Sequence, residues 1–386
     1  MQIIEVGDRS TWRLFHQVPH RVYRHDPNWI APLEGEVQSV FDPAKNKTFE
    51  HGTARLFVLL DEQGKPAGRI AAFIDEDYSQ RQPYPTGGVG YFECIDNDDY
   101  AGALFREAEA WLRRHGMQAA DGPVHFGGRD KFYGLLVKGF DPPLFEENYQ
   151  PVYYQRFFEN NGYIPFEQIL TMKGNTREIN LARMGAVVER IGARHDIRVE
   201  AYDAKKLDKY SADFCEVYNA AFRHFPHFKP LRKETVIKTM KEAGPIADPN
   251  LLGIAYFEGH PAGIIAFFPD INPLLRPARG RLSWWKIPGF LWRLRTAKQL
   301  ECKGIGFGIH PDFKQYGISA FIVYYMAKEE VLKKYPVMYL TTVRAHNKEA
   351  VSVYLKLGVH IDRVHVAYRK PLEEGVMVEP FEFMEV

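Results

Sequence analysis

The sequence predicts an α/β protein in which one layered unit, a mixed sheet flanked by helices, is built twice. Three observations carry this. The pattern G-x-P-A-G-x-I-A-x-F starts at Gly64 and returns at Gly259. The same offset of about 195 residues links Ile4-Glu5 to Val199-Glu200 and, within a residue, the segment ending at Gly162 to the one ending at Gly358. Residues 304–358 read in order as strand, glycine turn, helix, strand, polar turn and helix. Three matches in one order and register favour a duplicated unit over hairpins that reuse the same turn residues.

Each copy of the glycine pattern follows an apolar run, 56–60 and 251–257, so each reads as a β-hairpin. The order in each half is then strand, helices, hairpin, further strand, helix, strand, helix and a closing strand pair, an α/β layer architecture. The first unit spans 1–174 and ends in a strand-like 168–173 followed by the turn signal Gly174-Asn175-Thr176. A connector, 175–196, has apolar residues at 179, 181, 184, 187, 188 and 191, which predicts a helix within 178–194. The second unit, 197–386, restarts with a strand over 197–201. A helix over 210–222 follows, with Phe214, Val217, Tyr218 and Ala221 on one face.

At 386 residues, 45% hydrophobic and 26% charged, the chain has enough apolar mass for two cores and too little charge for extensive disorder. A formal net charge of +1 gives no global field toward nucleic acid or membrane. Three scattered cysteines, with no Cys/His cluster, suggest no metal site and fit a reducing cytosol. The first residues lack a basic-then-apolar leader pattern, and no window approaches the roughly 20 apolar residues that cross a bilayer. The expectation is a cytoplasmic protein without a membrane span.

Chemistry concentrates in the second half. After His310-Pro311 comes Lys314-Gln315-Tyr316-Gly317-Ile318-Ser319-Ala320. A glycine turn that opens a helix is an anion site, because free N–H groups and the helix dipole face a bound phosphate. Lys314 adds charge and Ser319 a hydroxyl donor. The plainer reading is a helix entered through glycine with no ligand. The strand before the turn is softened by Gly304, Gly306 and Gly308, which suggests a bulge or a close backbone approach around Phe307, Gly308 and Ile309. Asn347 suits a helix N-cap, and Tyr354, seven residues on, shares its face.

This order, with K-x-x-G-x-S in place of the usual loop, resembles the acyl-CoA site of the GNAT acyltransferases. The resemblance covers about 197–371 and reaches the first half through the repeat. It implies two tandem GNAT-like domains, each with a mixed, mostly antiparallel sheet, and the cofactor acetyl-CoA or another acyl-CoA. It implies that the Lys314–Ala320 turn cradles the pyrophosphate and that 307–309 pair with the pantetheine arm beside a splayed strand at 337–343. Asn347 would touch the cofactor, and Tyr354 would protonate the departing thiolate. Glu301 is the favoured general base, sharing parity with Phe307 and Ile309 if the strand is regular; His310 is the neighbouring choice. The reaction implied is N-acylation, acetylation above all, of a small-molecule or amino-group acceptor.

The first half looks disarmed. After its strand over 89–95 stand Asp96, Asp98 and Asp99, which repel a pyrophosphate. Pro151 and Phe158 occupy the Asn347 and Tyr354 positions. His125, Arg129, Asp130 and Tyr153 either line a polar pocket or belong to an ordered loop over the sheet. Residues 271–300 contain seven basic side chains, three tryptophans and no acid. They read either as an amphipathic helix packing its tryptophans between the halves or as a grip on an anionic group, with Arg293 and Arg295 as acceptor-binding residues. Two other functions fit the layout: a Fem-type aminoacyl transferase, for which tRNA would be the partner, and a non-catalytic CoA-binding sensor.

Overall fold

The structure, a computed structural model, describes residues 1–128, 131–178, 181–224, 230–379 and 381–384. Its centre is a mixed sheet. The strands are β1 (Gln2–Glu5), β2 (Gly52–Leu60), β3 (Pro66–Asp75), β4 (Thr86–Cys94), β5 (Ala119–Gly122), β6 (Leu135–Lys138), β7 (Ile164–Asn175), β8 (Ile197–Ala201), β9 (Leu252–Phe257), β10 (His260–Pro269), β11 (Glu301–Ile309), β12 (Val337–Arg344) and β13 (His360–Pro371). Their order across the sheet is β1-β2-β3-β4-β5-β13-β7-β12-β11-β10-β9-β8, with β6 pairing separately on β13.

That order is symmetric about its middle. β1 to β5 on one side answer β8 to β12 on the other, and the last strand of each half has changed sides. β13 lies beside β5, with Tyr368 opposite Gly122, while β7 lies beside β12, with Leu340 opposite Met172. The two exchanged strands pair antiparallel with each other from His360↔Lys173 to Arg369↔Ile164. Every strand pair is antiparallel except β4–β5 and β11–β12.

The repeated glycine motif forms the two expected hairpins, β2–β3 and β9–β10. Its second glycine has a packing reason. A Cβ on Gly68 would stand 2.6 Å from Leu104 Cδ1, and one on Gly263 would stand 2.8 Å from Ile322 Cδ1. In both halves a bare backbone lets a helix, Asp98–Arg114 or Ile318–Met326, lie flat on the hairpin.

The helix Leu207–Phe222 buries Phe214, Cys215 and Val217 as the apolar rhythm requires. The connector helix spans Leu181–Gly192, and Ile179 lies outside the described residues. It packs on the helix Ile318–Met326, with Gly185 facing Tyr324 and Gly192 facing Phe321. Apolar clusters cover both faces of the sheet in each half. Burial of this kind stabilises by about 25 cal/mol per Å² of apolar surface. Among the described residues no helix is long and apolar enough to cross a membrane. Among the described residues the grouping close enough to hold a metal ion is His51, Asp75 and Asp77, where the imidazole pairs with both carboxylates.

Candidate active site

The two parallel strand pairs are forked. β11 and β12 pair from Glu301↔Val337 to Gly304↔Leu340 and no further. Thr341 Oγ1 closes the junction with a 3.1 Å hydrogen bond to the Gly304 carbonyl. Both strands are irregular there. The β10–β11 register shifts so that Ile305 bulges between Gly304 and Gly306, and β12 shifts against β7 between Leu340 and Val343, where Thr342 has φ +55°. Beyond the fork Phe307, Gly308 and Ile309 pair only with β10. His310 N–H donates to Ala262 O on β10 at 2.9 Å. Successive strand residues face opposite edges, so the Ile309 and Phe307 N–H and C=O groups face the opening.

The turn after β11 is a short 3₁₀ segment, Pro311–Tyr316, followed by Gly317 at φ +69° and the helix Ile318–Met326. Gly317 is required twice over. The left-handed conformation disfavours a side chain, and a Cβ would sit 2.7 Å from Ile191 Cδ1 of the connector helix. No side chain caps this helix, so the first N–H groups keep their anion-binding capacity up to Ala320, whose N–H already donates to Gly317 O at 2.9 Å. Lys314, Gln315 and Ser319 are exposed and Ala320 half-buried. Tyr316 and Ile318 turn elsewhere. The Tyr316 ring lies 4.3 Å from that of Phe257, and the Ile318 side chain is fully buried beneath Gly263. Ile318 can offer a ligand only its backbone.

On the far side of the fork, Asn347 caps the helix Lys348–Lys356 through Ala350 N at 3.2 Å. Tyr354, half-buried on the same helix, packs against the first half's core. Burial holds its phenol above the ordinary value, so it stays protonated at neutral pH.

The first half repeats the fork and fills it. β4 and β5 pair only from Thr86↔Ala119 to Gly88↔Asp121, and Tyr91 at φ +51° marks the bulge. Cys94 pairs with Gly68 as Ile309 pairs with Gly263, which makes Cys94 and Ile309 equivalent. Ile95 N–H bonds Ala67 O as His310 N–H bonds Ala262 O. Cys94 N–H donates to Tyr154 Oη at 2.7 Å, and Cys94 O accepts from Tyr153 Oη at 3.0 Å. Tyr154 is fully buried and also donates to Glu93, itself paired with Arg69. At the helix start Asn97 caps Tyr100 N, and Arg156 pairs with Asp96 and Asp98. The backbone groups and charges that a coenzyme would use are therefore taken by protein.

Counting forward from Tyr154 by the 196 residues that separate Gly162 from Gly358 gives Ala350. A methyl group, half-exposed, stands where the first half has its phenol plug. Sequence reasoning passed over this residue, although the repeat offset alone pairs it with a tyrosine.

Glu301 sits in the paired part of β11, upstream of the fork. The bulge at Ile305 breaks the regular alternation assumed for it. Phe307 and Ile309 pack with Cys302 on the face of the helix Ile318–Met326, whereas Glu301 acts on the Tyr339 phenol, helping burial to hold its pKa above the ordinary value. Glu301 O accepts from Asp270 N at 2.8 Å. Burial raises the Asp270 carboxyl to about 6, although Phe145 N and Asn272 N donate to it. Arg293 and Arg295 ride on the helix Ile287–Thr296, which buries Phe290 and Leu294 in a cluster with Ile271 and Leu275. Arg293 is half-buried and Arg295 exposed. The tryptophans of this segment do not pack between the halves: Trp284, Trp285 and Trp292 are 78%, 63% and 66% exposed, because the shorter Phe290 and Leu294 already fill the interface. His125 is buried with both ring nitrogens unpartnered, and burial drives its pKa down to about 3. Arg129 and Asp130 lie outside the described residues.

A tandem GNAT fold is defined by this paired, strand-exchanged sheet with its forks and helix-opening turn. Among solved structures, a tandem GNAT protein from the clavulanic acid biosynthesis pathway matches with a TM-score of 0.55 at 10% identity, covering 97% of this chain and 99% of its own. A GCN5-related N-acetyltransferase from Sphaerobacter thermophilus matches with a TM-score of 0.50 at 14% identity, covering 97% of both chains. In sequence, the chain is 28% identical over 341 residues to the bacterial ceramide synthase of Caulobacter vibrioides, covering 85% of each. It is 25% identical over 312 residues to Escherichia coli protein YghO, covering 80% of this chain and 78% of that one. No family model matches the chain.

Proposed function

We propose that this chain is an acyl-CoA-dependent N-acyltransferase whose coenzyme enters the fork of the second half. The observation that carries the reading is the contrast between equivalent residues: Cys94 is bonded by Tyr154 and Tyr153, while Ile309, beyond the β11–β12 pairing, has no such side-chain bond among the described residues and the position matching Tyr154 holds Ala350. Phe307 and Ile309 would hold the pantetheine arm as an added strand, flanked by Gly308 and Asn347. The N–H groups of Gly317, Ile318 and Ser319, with Lys314, the Gln315–Tyr316 backbone and Ala320 beside them, would hold the pyrophosphate. An amine attacks the thioester carbonyl carbon, the C–N bond forms, and the C–S bond breaks as Tyr354 gives its proton to the leaving thiolate. The proton lost by the amine passes to Glu301. Ile305 at the fork and Val353 on the helix Lys348–Lys356 are exposed apolar side chains that suit an acyl chain longer than acetyl. The ceramide synthase relative supports an amine carried on a lipid as acceptor, since a ceramide is an amide.

Calorimetric titration with CoA, followed by thiol release from acetyl- and palmitoyl-CoA across an amine panel, tests the proposal. The expected result is one CoA bound per chain and turnover with a long-chain amine. Retention of aminoacyl-tRNA without CoA binding, CoA binding without turnover on any amine, or CoA density against β4 would each overturn it.

A further inference from the structure

The 30 residues 271–300, between Asp270 and β11, contribute nothing to the fork, and their exposed surface has a chemistry of its own. Residues 271–300 hold no acid, and five of their seven cations fall into two sets. Arg276 bonds Pro27 O and Arg281 pairs with Glu34 at 2.8 Å, which together with the bond from Glu34 N to Gly280 O moors the segment to the first half. Lys286, Arg295 and Lys298 are exposed and make no ion pair among the described residues. The helix Ile287–Thr296 is anchored beneath by Phe290 and Leu294. What it turns outward is Trp292 and Ile287, with Trp284 and Trp285 on the preceding turn.

Three tryptophans more than three-fifths exposed, beside an apolar residue and unpaired cations, are costly to leave in water. They match one environment closely. The headgroup layer of a bilayer takes up an indole's apolar ring and polar N–H together, and anionic lipids supply the countercharge. An aqueous anionic substrate would use the cations but leave the indoles wet, and nucleic acid would need a longer basic track.

From these observations we infer that the segment 284–298 docks the protein on the surface of an anionic phospholipid bilayer, with Trp284, Trp285, Ile287 and Trp292 set into the headgroup layer and Lys286, Arg295 and Lys298 on lipid phosphates. The protein lies on the membrane without crossing it. This assignment stands apart from the fork, and within the proposed function it means that the amine is drawn from the membrane.

The test is flotation of the full-length chain with vesicles of phosphatidylcholine, with and without phosphatidylglycerol. The expected result is binding to the phosphatidylglycerol vesicles, weakened with rising salt. The triple variant W284A/W285A/W292A should lose binding at least tenfold while its CoA titration and thermal unfolding stay unchanged. The charge reversal K286E/R295E should weaken binding by about thirtyfold or more, since each basic residue contributes about fivefold near an anionic surface. Failure of the native chain to float with anionic vesicles, equal binding by the triple variant, or retention on tRNA in preference to vesicles overturns the inference. A failed CoA titration would count against the fork alone.

Discussion

Copying the first half's plug into the second should close the coenzyme site. In Ala350→Tyr the new ring starts from the helix position of Tyr154, whose hydroxyl reaches the backbone of Cys94 at 2.7 Å. Ile309 is the register counterpart of Cys94, so the new phenol would meet the Ile309 N–H. A pantetheine arm pairing with that edge loses its hydrogen bond there, and its path is blocked. One or two lost bonds are worth about 1 kcal/mol each. Two kcal/mol is about a thirtyfold rise in Kd, and displacement of the arm adds to it. Calorimetry with CoA reads the effect directly. Stability should barely change, because Ala350 is half-exposed. The reverse change, Tyr154→Ala, should cost about 3–5 kcal/mol by urea unfolding, since a fully buried ring is removed, and it should create no CoA site. Native CoA affinity in Ala350→Tyr would refute the equivalence of the two forks, and with it the reason for placing the coenzyme in the second.

Gly317→Val should lower CoA affinity at least tenfold and cost about 1–2 kcal/mol of stability, through a left-handed backbone and a clash with Ile191; calorimetry and thermal unfolding separate the two. Tyr354→Phe should leave the CoA Kd within about twofold and reduce kcat by roughly a hundredfold, the scale of a lost general acid, in a steady-state thiol-release assay. His125→Phe should flatten the acid dependence of stability. In the folded chain His125 titrates at about 3, against an ordinary 6.5, so the unfolded state binds more protons between those values and stability falls as pH drops through that window. At about pH 4.5 this amounts to roughly 2–3 kcal/mol, which urea unfolding at pH 7 and pH 4.5 should find missing in the variant.

Much of the fold was legible because its signals are local. Turn glycines and alternating apolar runs announced both hairpins, and their common offset announced the duplication. The turn at Gly317 was legible for the same reason: a left-handed residue that opens a helix leaves its mark in a few consecutive letters. The exposure of Trp284, Trp285 and Trp292 was not, since composition records that an amphipathic segment exists but not which of its side chains the rest of the protein covers. Nor was the bulge at Ile305, which turned Glu301 to the face opposite Phe307 and Ile309; a one-residue slip depends on the partner strand.

By itself, then, the sequence determined a doubled α/β unit with one glycine turn fit for an anion and one acidic turn unfit for it. Only the tertiary structure decided that β7 and β13 change places, because strand neighbours are chosen by pairing across nearly two hundred residues of chain and no local pattern encodes that choice. It also decided which fork is open. Tyr153 and Tyr154 look like ordinary core aromatics until their hydroxyls are seen on the backbone of Cys94, and Ala350 gains meaning only as the small residue where that plug is missing.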